Sequence, residues 1–283
     1  MVKIVTDSTA YIPREIRAEL NISVISLNVN FESESFKEED TDNVSFFNKM
    51  SKSERVPVSS PPSLFDFYDV FESIVAAGDS MLGIFISSEM SKTYSTALMA
   101  KKMVLTNYPE AVMEIIDSRL NCMAMGFAVL AAARAAKKGL NFDQVMERAH
   151  EVIKKNHFLF VPETLDYLKK GGRIGGAAAL LGQLLQIRPV LTIIDGKIAV
   201  HGKVRTQAKA VENIVDHLYK DVRRKGLGEV VVHHINCEEE GSRLARLIEE
   251  KLTTNVSVAS IGPVIGLHAG PGTIGVVYYT EKA

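Results

Sequence analysis

The chain of 283 residues carries 33 Lys and Arg against 34 Asp and Glu, a formal net charge of −1, with 46% hydrophobic and 24% charged residues. That balance is ordinary for a globular protein and excludes an extended nucleic-acid surface, which needs clustered excess Lys and Arg. Its two cysteines, Cys122 and Cys237, have no CxxC spacing, so neither a zinc site nor a disulfide scaffold is expected.

The length suits two ordinary domains. Residues 2–5 read as a strand, with no basic-then-apolar leader before them, and no apolar run reaches the roughly 18 residues of a membrane span. The expectation is a cytoplasmic protein with at most transient membrane contact. After that first strand, Pro13 opens a helix carrying Ile16 and Leu20. Residues 22–31 alternate apolar and polar side chains as one half-buried strand does. Ser63 reads as the N-cap of a helix running to about residue 77, followed by a strand at 81–86. A helix at 91–107, a strand at 112–116 and an alanine-rich helix at 120–138 come next. Gly139 closes that helix, and another runs from Asn141 or Asp143 to about Lys155. Such strand–helix alternation implies a mainly parallel sheet with helices on both faces.

The second half reads differently. A strand at 157–161 precedes a short helix at 164–169 that breaks at Gly171-Gly172. Residues 190–194 and 197–200 flank Asp195-Gly196, a pair suited to a type I′ hairpin turn. A helix at 206–225, a strand at 229–234, a helix at 238–252 and strands at 256–261 and 274–279 complete the chain. A hairpin among crossover units means a mixed sheet. The expected fold class is therefore α/β in two domains: residues 1–156 with a mainly parallel sheet, and residues 157–283 with a mixed sheet.

Familiar catalytic motifs do not assemble. Gly78-Asp79-Ser80 precedes its strand, whereas a hydrolase nucleophile box follows one. Asp7 follows the first strand, but the position two residues on, where phosphohydrolases keep a second aspartate, is Thr9. His150-Glu151 meets its next histidine only at His157, too late for a zinc-binding HExxH helix face. No GxxxxGK[ST] or GxGxxG phosphate cradle occurs. His233-His234 suits a strand edge or interface as well as a catalytic site.

What remains is a set of hydroxyl-rich loops at the carboxyl ends of strands, where open α/β sheets bind ligands. They are Asp7-Ser8-Thr9, residues 59–63 (SSPPS) and residues 86–94 (ISSEMSKTY). Serine hydroxyls and helix N-terminal amides together seat a carboxylate or phosphate, although for any one serine helix capping is the better account, and a weaker one for all three loops together with His268. Near the C-terminus, His268 stands among glycines and prolines in residues 262–273, after a strand. It reads either as a hydrogen-bond donor to an anion or as an incidental residue of a Gly/Pro turn. The basic runs 169–173 and 203–205 suit solvent or bidentate anion contact through arginine.

Taken in order, these segments resemble the DegV family. They are VTDSTA at 5–10, VPVSSPPS at 56–63, ISSEMSKTY at 86–94, LKKGGRI at 168–174, IRPVL at 187–191, KVRT at 203–206 and GPVIGLHAGPG at 262–272. The likeness spans essentially the whole chain. It implies a carrier rather than an enzyme: one long-chain fatty acid bound between two α/β domains, its carboxylate presented to a separate fatty acid kinase. By position, Ser59, Ser91 and His268 match the family's carboxylate-binding residues. Ser60, Thr93, Arg173, Arg205 and Gly270 fall at supporting or kinase-facing positions. Neither a metal nor a cofactor is implied beyond the fatty acid itself. The chain departs from the family pattern at Pro61, where glutamine is usual, at Lys92, where glycine is usual, and at Leu267 and Ala269, often threonines. A hydrolase or transferase using His268 with a loop serine, and a carrier of another amphiphilic anion, stay open as alternatives.

Overall fold

The computed structural model describes residues 1–182 and 187–282. In chain order the elements are β1 (Val2–Asp7), α1 (Arg14–Glu19), β2 (Ile22–Ile25), β3 (Asn28–Asn30), β4 (Ser35–Lys37), α2 (Asn43–Lys52), β5 (Val58–Ser60), α3 (Leu64–Ala76), β6 (Ser80–Phe85), α4 (Thr93–Asn107), β7 (Met113–Asp117), α5 (Cys122–Lys137) and α6 (Phe142–Lys155). They continue as β8 (Asn156–Val161), α7 (Asp166–Lys170), β9 (Arg188–Ile194), β10 (Lys197–Val204), α8 (Gln207–Lys225), β11 (Leu227–His234), α9 (Glu238–Leu252), β12 (Ser257–Ser260), α10 (Pro263–Ala269) and β13 (Ile274–Thr280). Contacts group the chain into two compact units. The first holds Met1–Asn30, Ser35–Glu39 and Ser59–Lys154; the second holds Phe31–Glu34, Asp40–Val58 and Lys155–Ala283.

The first unit is built on a parallel sheet in the order β2-β1-β6-β7. Alternate residues of a strand face opposite sides. On one side Val5, Met81, Phe85, Met113 and Ile115 pack with Phe67 and Phe71 of α3 and with Ala97, Ala100 and Val104 of α4. On the other side α5 lies along β1 and β6. Its alanine-rich sequence is buried on nearly every face, which explains why it shows no apolar stripe. Gly126 lets it come close, because a Cβ there would stand 2.8 Å from the Ala10 carbonyl oxygen.

One expectation is corrected here. Residues 22–31 are not a single strand: β2 ends at Ile25, and β3 belongs to a separate three-stranded sheet in the order β4-β3-β5. The break is held by Leu27, whose amide donates to Ser8 Oγ and whose carbonyl accepts from the Glu38 amide. Alternation alone cannot show that a strand changes sheets midway.

The second unit carries a mixed six-stranded sheet, order β10-β9-β8-β13-β11-β12, antiparallel except for the parallel pair β11–β12. Leu159, Val161, Val190, Val232, Ile274, Val276 and Tyr278 form one core with Ala210, Ile214 and Leu218 of α8 and Leu244, Ala245 and Ile248 of α9. Asp195 (φ 50°) and Gly196 (φ 77°) make the hairpin turn that the Asp-Gly pair predicts. The fold class is as expected: two α/β units, the first with a parallel sheet between helices and the second with a mixed sheet. Among the described residues no helix is long and apolar enough to cross a membrane.

Candidate functional site

In the first unit the first and third hydroxyl-rich loops share the carboxyl edge of the parallel sheet, whereas the middle one leaves β5 of the three-stranded sheet. The first follows β1 and the third follows the neighbouring β6, and Asp7 ties them together: its carboxylate accepts from the Thr9 amide and hydroxyl and from the Ile86 amide at 2.8 Å. Burial pushes the Asp7 carboxyl up to about 6, against those hydrogen bonds. The carboxylate is a buried brace whose acceptor positions are taken, not an exposed nucleophile. Ser8 is spent similarly, donating to Glu38, which also accepts from the Tyr11 hydroxyl.

The middle loop arrives by way of β3. Asn30 Nδ2 donates to Ser60 Oγ at 3.1 Å, and Asn28 Nδ2 donates to the Pro61 carbonyl at 3.3 Å. Ser59 is half-buried on β5 beside this brace. Ser63, four residues on, has a different task. Its hydroxyl accepts from the Asp66 amide at 3.1 Å while Asp66 accepts from the Ser63 amide at 2.9 Å, a reciprocal capping box at the start of α3.

The third loop is a tight turn on Ser87, whose carbonyl accepts from the amides of Met90 and Ser91. Ser88 is tied to Asp117. Ser91 Oγ lies 2.8 Å from Thr93 Oγ1 and accepts from the Thr93 amide at 3.2 Å. Thr93 is fully buried at the start of α4, so the structure pairs two of the expected site residues and orients Ser91 from beneath. Lys92 is exposed, with its carbonyl accepting from the Thr96 amide.

In the second unit the segment around His268 departs from the expected Gly/Pro loop. It is the short helix α10, begun by Pro263 at its first position and ended at Gly270 (φ 86°). Proline at the helix start needs no amide partner and already holds the right φ, so this proline marks a helix start. The Thr273 hydroxyl bonds the carbonyls of Ala269 and Gly270 at 3.0 and 2.8 Å and fixes the exit. Glycines set the packing. A Cβ on Gly270 would come within 2.3 Å of the Tyr167 ring, and one on Gly266 within 2.6 Å of the Phe47 ring of α2. The buried Leu267 and Ala269 occupy packing positions on either side of the histidine.

His268 itself rests on the turn after α7. A Cβ on Gly171 would fall 2.2 Å from its Nδ1, so only glycine leaves room for the ring. Burial, with the nearby Arg173 charge added, lowers its pKa to about 4, and the imidazole is neutral at pH 7. Arg173 Nη1 donates to the Gly171 carbonyl at 2.6 Å, which places the guanidinium beside the same turn. Arg205 is placed elsewhere, exposed at the end of β10 next to Thr206, the N-cap of α8. His233, the other histidine at about 4, is buried in β11 with Nδ1 3.0 Å from the Ala259 carbonyl oxygen, a packing role. Gly171, Tyr167 and Asn30 are the supports that sequence reading missed. The Gly171-Gly172 doublet is the one signal that could have found the first two, and nothing comparable marks Asn30.

The half-buried hydroxyls of the first unit, and separately the neutral imidazole of the second, are groups that can meet an anionic oxygen without a full counter-charge. The family model described as "Uncharacterised protein, DegV family" matches residues 1–281. The chain belongs to the DegV family. It is 50% identical to a DegV domain-containing protein of Clostridium acetobutylicum over 281 residues, covering 99% of this chain and 98% of that one. Among solved structures it resembles a stearic-acid-binding protein from Eubacterium ventriosum (TM-score 0.91, 29% identity, 99% of each chain). It also resembles DegV, a fatty acid binding protein from Bacillus subtilis (TM-score 0.88, 31% identity, 99% of each chain).

Proposed function

We propose that this chain binds one long-chain fatty acid, taking groups of both units to its carboxylate, and presents that carboxylate to a separate fatty acid kinase. Ser59 and Ser91 in the first unit and His268 in the second are assigned to the head group; Ser60, Thr93, Gly270 and Arg173 support them, and Arg205 faces the partner. The observation that carries the reading is the full-length likeness, at about 30% identity, to two proteins whose solved structures are described as fatty-acid binding.

The energetics agree with a carrier. Burying each methylene is worth about 0.8 kcal/mol, so a sixteen-carbon tail offers on the order of 10 kcal/mol before ordering costs. The head-group residues then need only orient and satisfy the carboxylate. A neutral imidazole does this without quenching the charge, leaving the oxygen nucleophilic toward a phosphoryl donor. A histidine at about 4 is a poor general base at neutral pH, which favours this reading over a hydrolase or transferase.

The test is reconstitution with a fatty acid kinase and labelled ATP. His268→Ala is expected to weaken fatty-acid binding modestly and to reduce phosphorylation sharply. Unchanged phosphorylation removes the role given to His268.

A further inference from the structure

Away from the residues above, α8 crosses β8 and β10 at a cluster of imidazoles around one buried carboxylate. His217 and Asp221 are four residues apart on α8 and so share a helix face. His157 meets them from β8, with Nε2 3.7 Å from Asp221 Oδ2, and His217 Nε2 is 3.5 Å from the same oxygen. The potential ligand atoms of all three lie within 4.8 Å of one another. A tetrahedral ion with ligand bonds of about 2.0–2.1 Å holds its donors about 3.3–3.4 Å apart, so the cluster needs only small closing movements.

We propose that His157, His217 and Asp221 form a site for a divalent transition ion of the zinc, cobalt or nickel class. Two imidazoles and one carboxylate are the donor set such ions favour, whereas calcium and magnesium favour oxygen donors alone. The fourth position falls to water or to His201, whose ring packs edge-on against His217 with centroids 4.5 Å apart.

The surroundings are built as a metal site's are. Asp221 is 7% exposed, and its Oδ2 accepts from the Tyr278 hydroxyl at 2.8 Å, which fixes the carboxylate. Tyr278 also stacks on His157, centroids 4.7 Å apart and planes 13° from parallel, which fixes that ring. The imidazole side chains are about one-third exposed, so an ion can reach them from solvent. The cation competing for Asp221 is Arg224, 3.5 Å from Oδ1 on a side chain 71% exposed, which can swing away. Sequence reading expects no metal because His157 lies 60 residues before His217, and the i,i+4 pair of His217 and Asp221 alone is no metal motif.

The experiment is titration of the chelator-treated, full-length protein with Co²⁺ and Zn²⁺, read by the cobalt ligand-field spectrum and by calorimetry. One equivalent is expected, with a tetrahedral cobalt spectrum. His217→Ala and His157→Ala are each expected to weaken affinity at least tenfold, and Tyr278→Phe about 10–100-fold through the carboxylate it orients. His150→Ala, on the exposed face of α6, should change nothing. Absence of uptake by the wild-type protein, or uptake that survives both histidine variants while they remain folded by circular dichroism, overturns the assignment.

Discussion

Gly171 is the seat of His268: a single added carbon at that glycine would reach within 2.2 Å of the imidazole Nδ1. The helix carrying the histidine is fixed on its other sides by contacts equally intolerant of bulk, at Gly266 on Phe47 and Gly270 on Tyr167. The imidazole is therefore placed by close packing on named backbone positions.

Gly171→Ala should displace the ring. The expected outcome is a loss of about 1–3 kcal/mol in stability, typical of overpacking, with kinase-dependent phosphorylation falling toward the level of His268→Ala. Denaturant unfolding and the phosphorylation assay read the two effects. Phosphorylation equal to wild type in a folded Gly171→Ala protein shows that the ring's position does not matter.

Two serines four residues apart should respond in opposite ways. Ser63→Ala removes the capping box of α3 and should cost about 1 kcal/mol of stability with fatty-acid affinity unchanged. Ser59→Ala should leave stability within about 0.5 kcal/mol but weaken fatty-acid binding by roughly tenfold or more, as loss of a hydrogen bond to a charged group does. Equal affinity in the two variants removes Ser59 from the carboxylate site.

Stability should fall as the solution is acidified from about pH 6.5 to pH 4. His233 and His268 each titrate near 4 when folded, chiefly through burial, against 6.5 when unfolded. The unfolded chain therefore binds protons first, and the stability both histidines contribute above pH 6.5 is lost as pH falls through the folded value, about 3 kcal/mol each at the limit. Asp7 acts in the opposite sense. Raised to about 6, it contributes stability fully below its unfolded value of 3.8 and loses it as pH rises through 6, so it offsets part of the slope. Two histidines against one aspartate leave a net acid loss. Urea midpoints at pH 7, 5.5 and 4.5 should decline in that order, and a rise toward acid pH contradicts the burial assigned to these rings.

Much of the fold is legible in the sequence because local chemistry and tertiary demand agree. Ser63 caps where Asp66 can reciprocate, Asp195-Gly196 turns where positive φ is needed twice, and Gly139 (φ 78°) closes α5. The failures come where tertiary contacts decide. The 22–31 segment alternates like one strand, yet the bonds of Leu27 to Ser8 and Glu38 divide it between two sheets. The His268 segment looks like a loop because glycine and proline usually break helices. Here Pro263 begins one, Gly270 ends it, and Gly266 lies inside it against Phe47. Helix α2, which supplies Phe47, is passed over as well, although Asp42 caps it by accepting from the Ser45 amide. Among the candidate site residues the pairing of Ser91 with Thr93 follows from adjacency, whereas the seat of His268 on Gly171 joins positions 97 apart and shows only in the fold.

The central claim is that this chain carries a fatty acid. Native mass spectrometry of the purified protein, followed by organic extraction and lipid analysis, tests it most directly. The account predicts one copurifying long-chain fatty acid per chain, or its uptake when supplied to ligand-free protein. A protein that emerges empty and also refuses added fatty acids, or that carries a different amphiphile in stoichiometric amount, contradicts it.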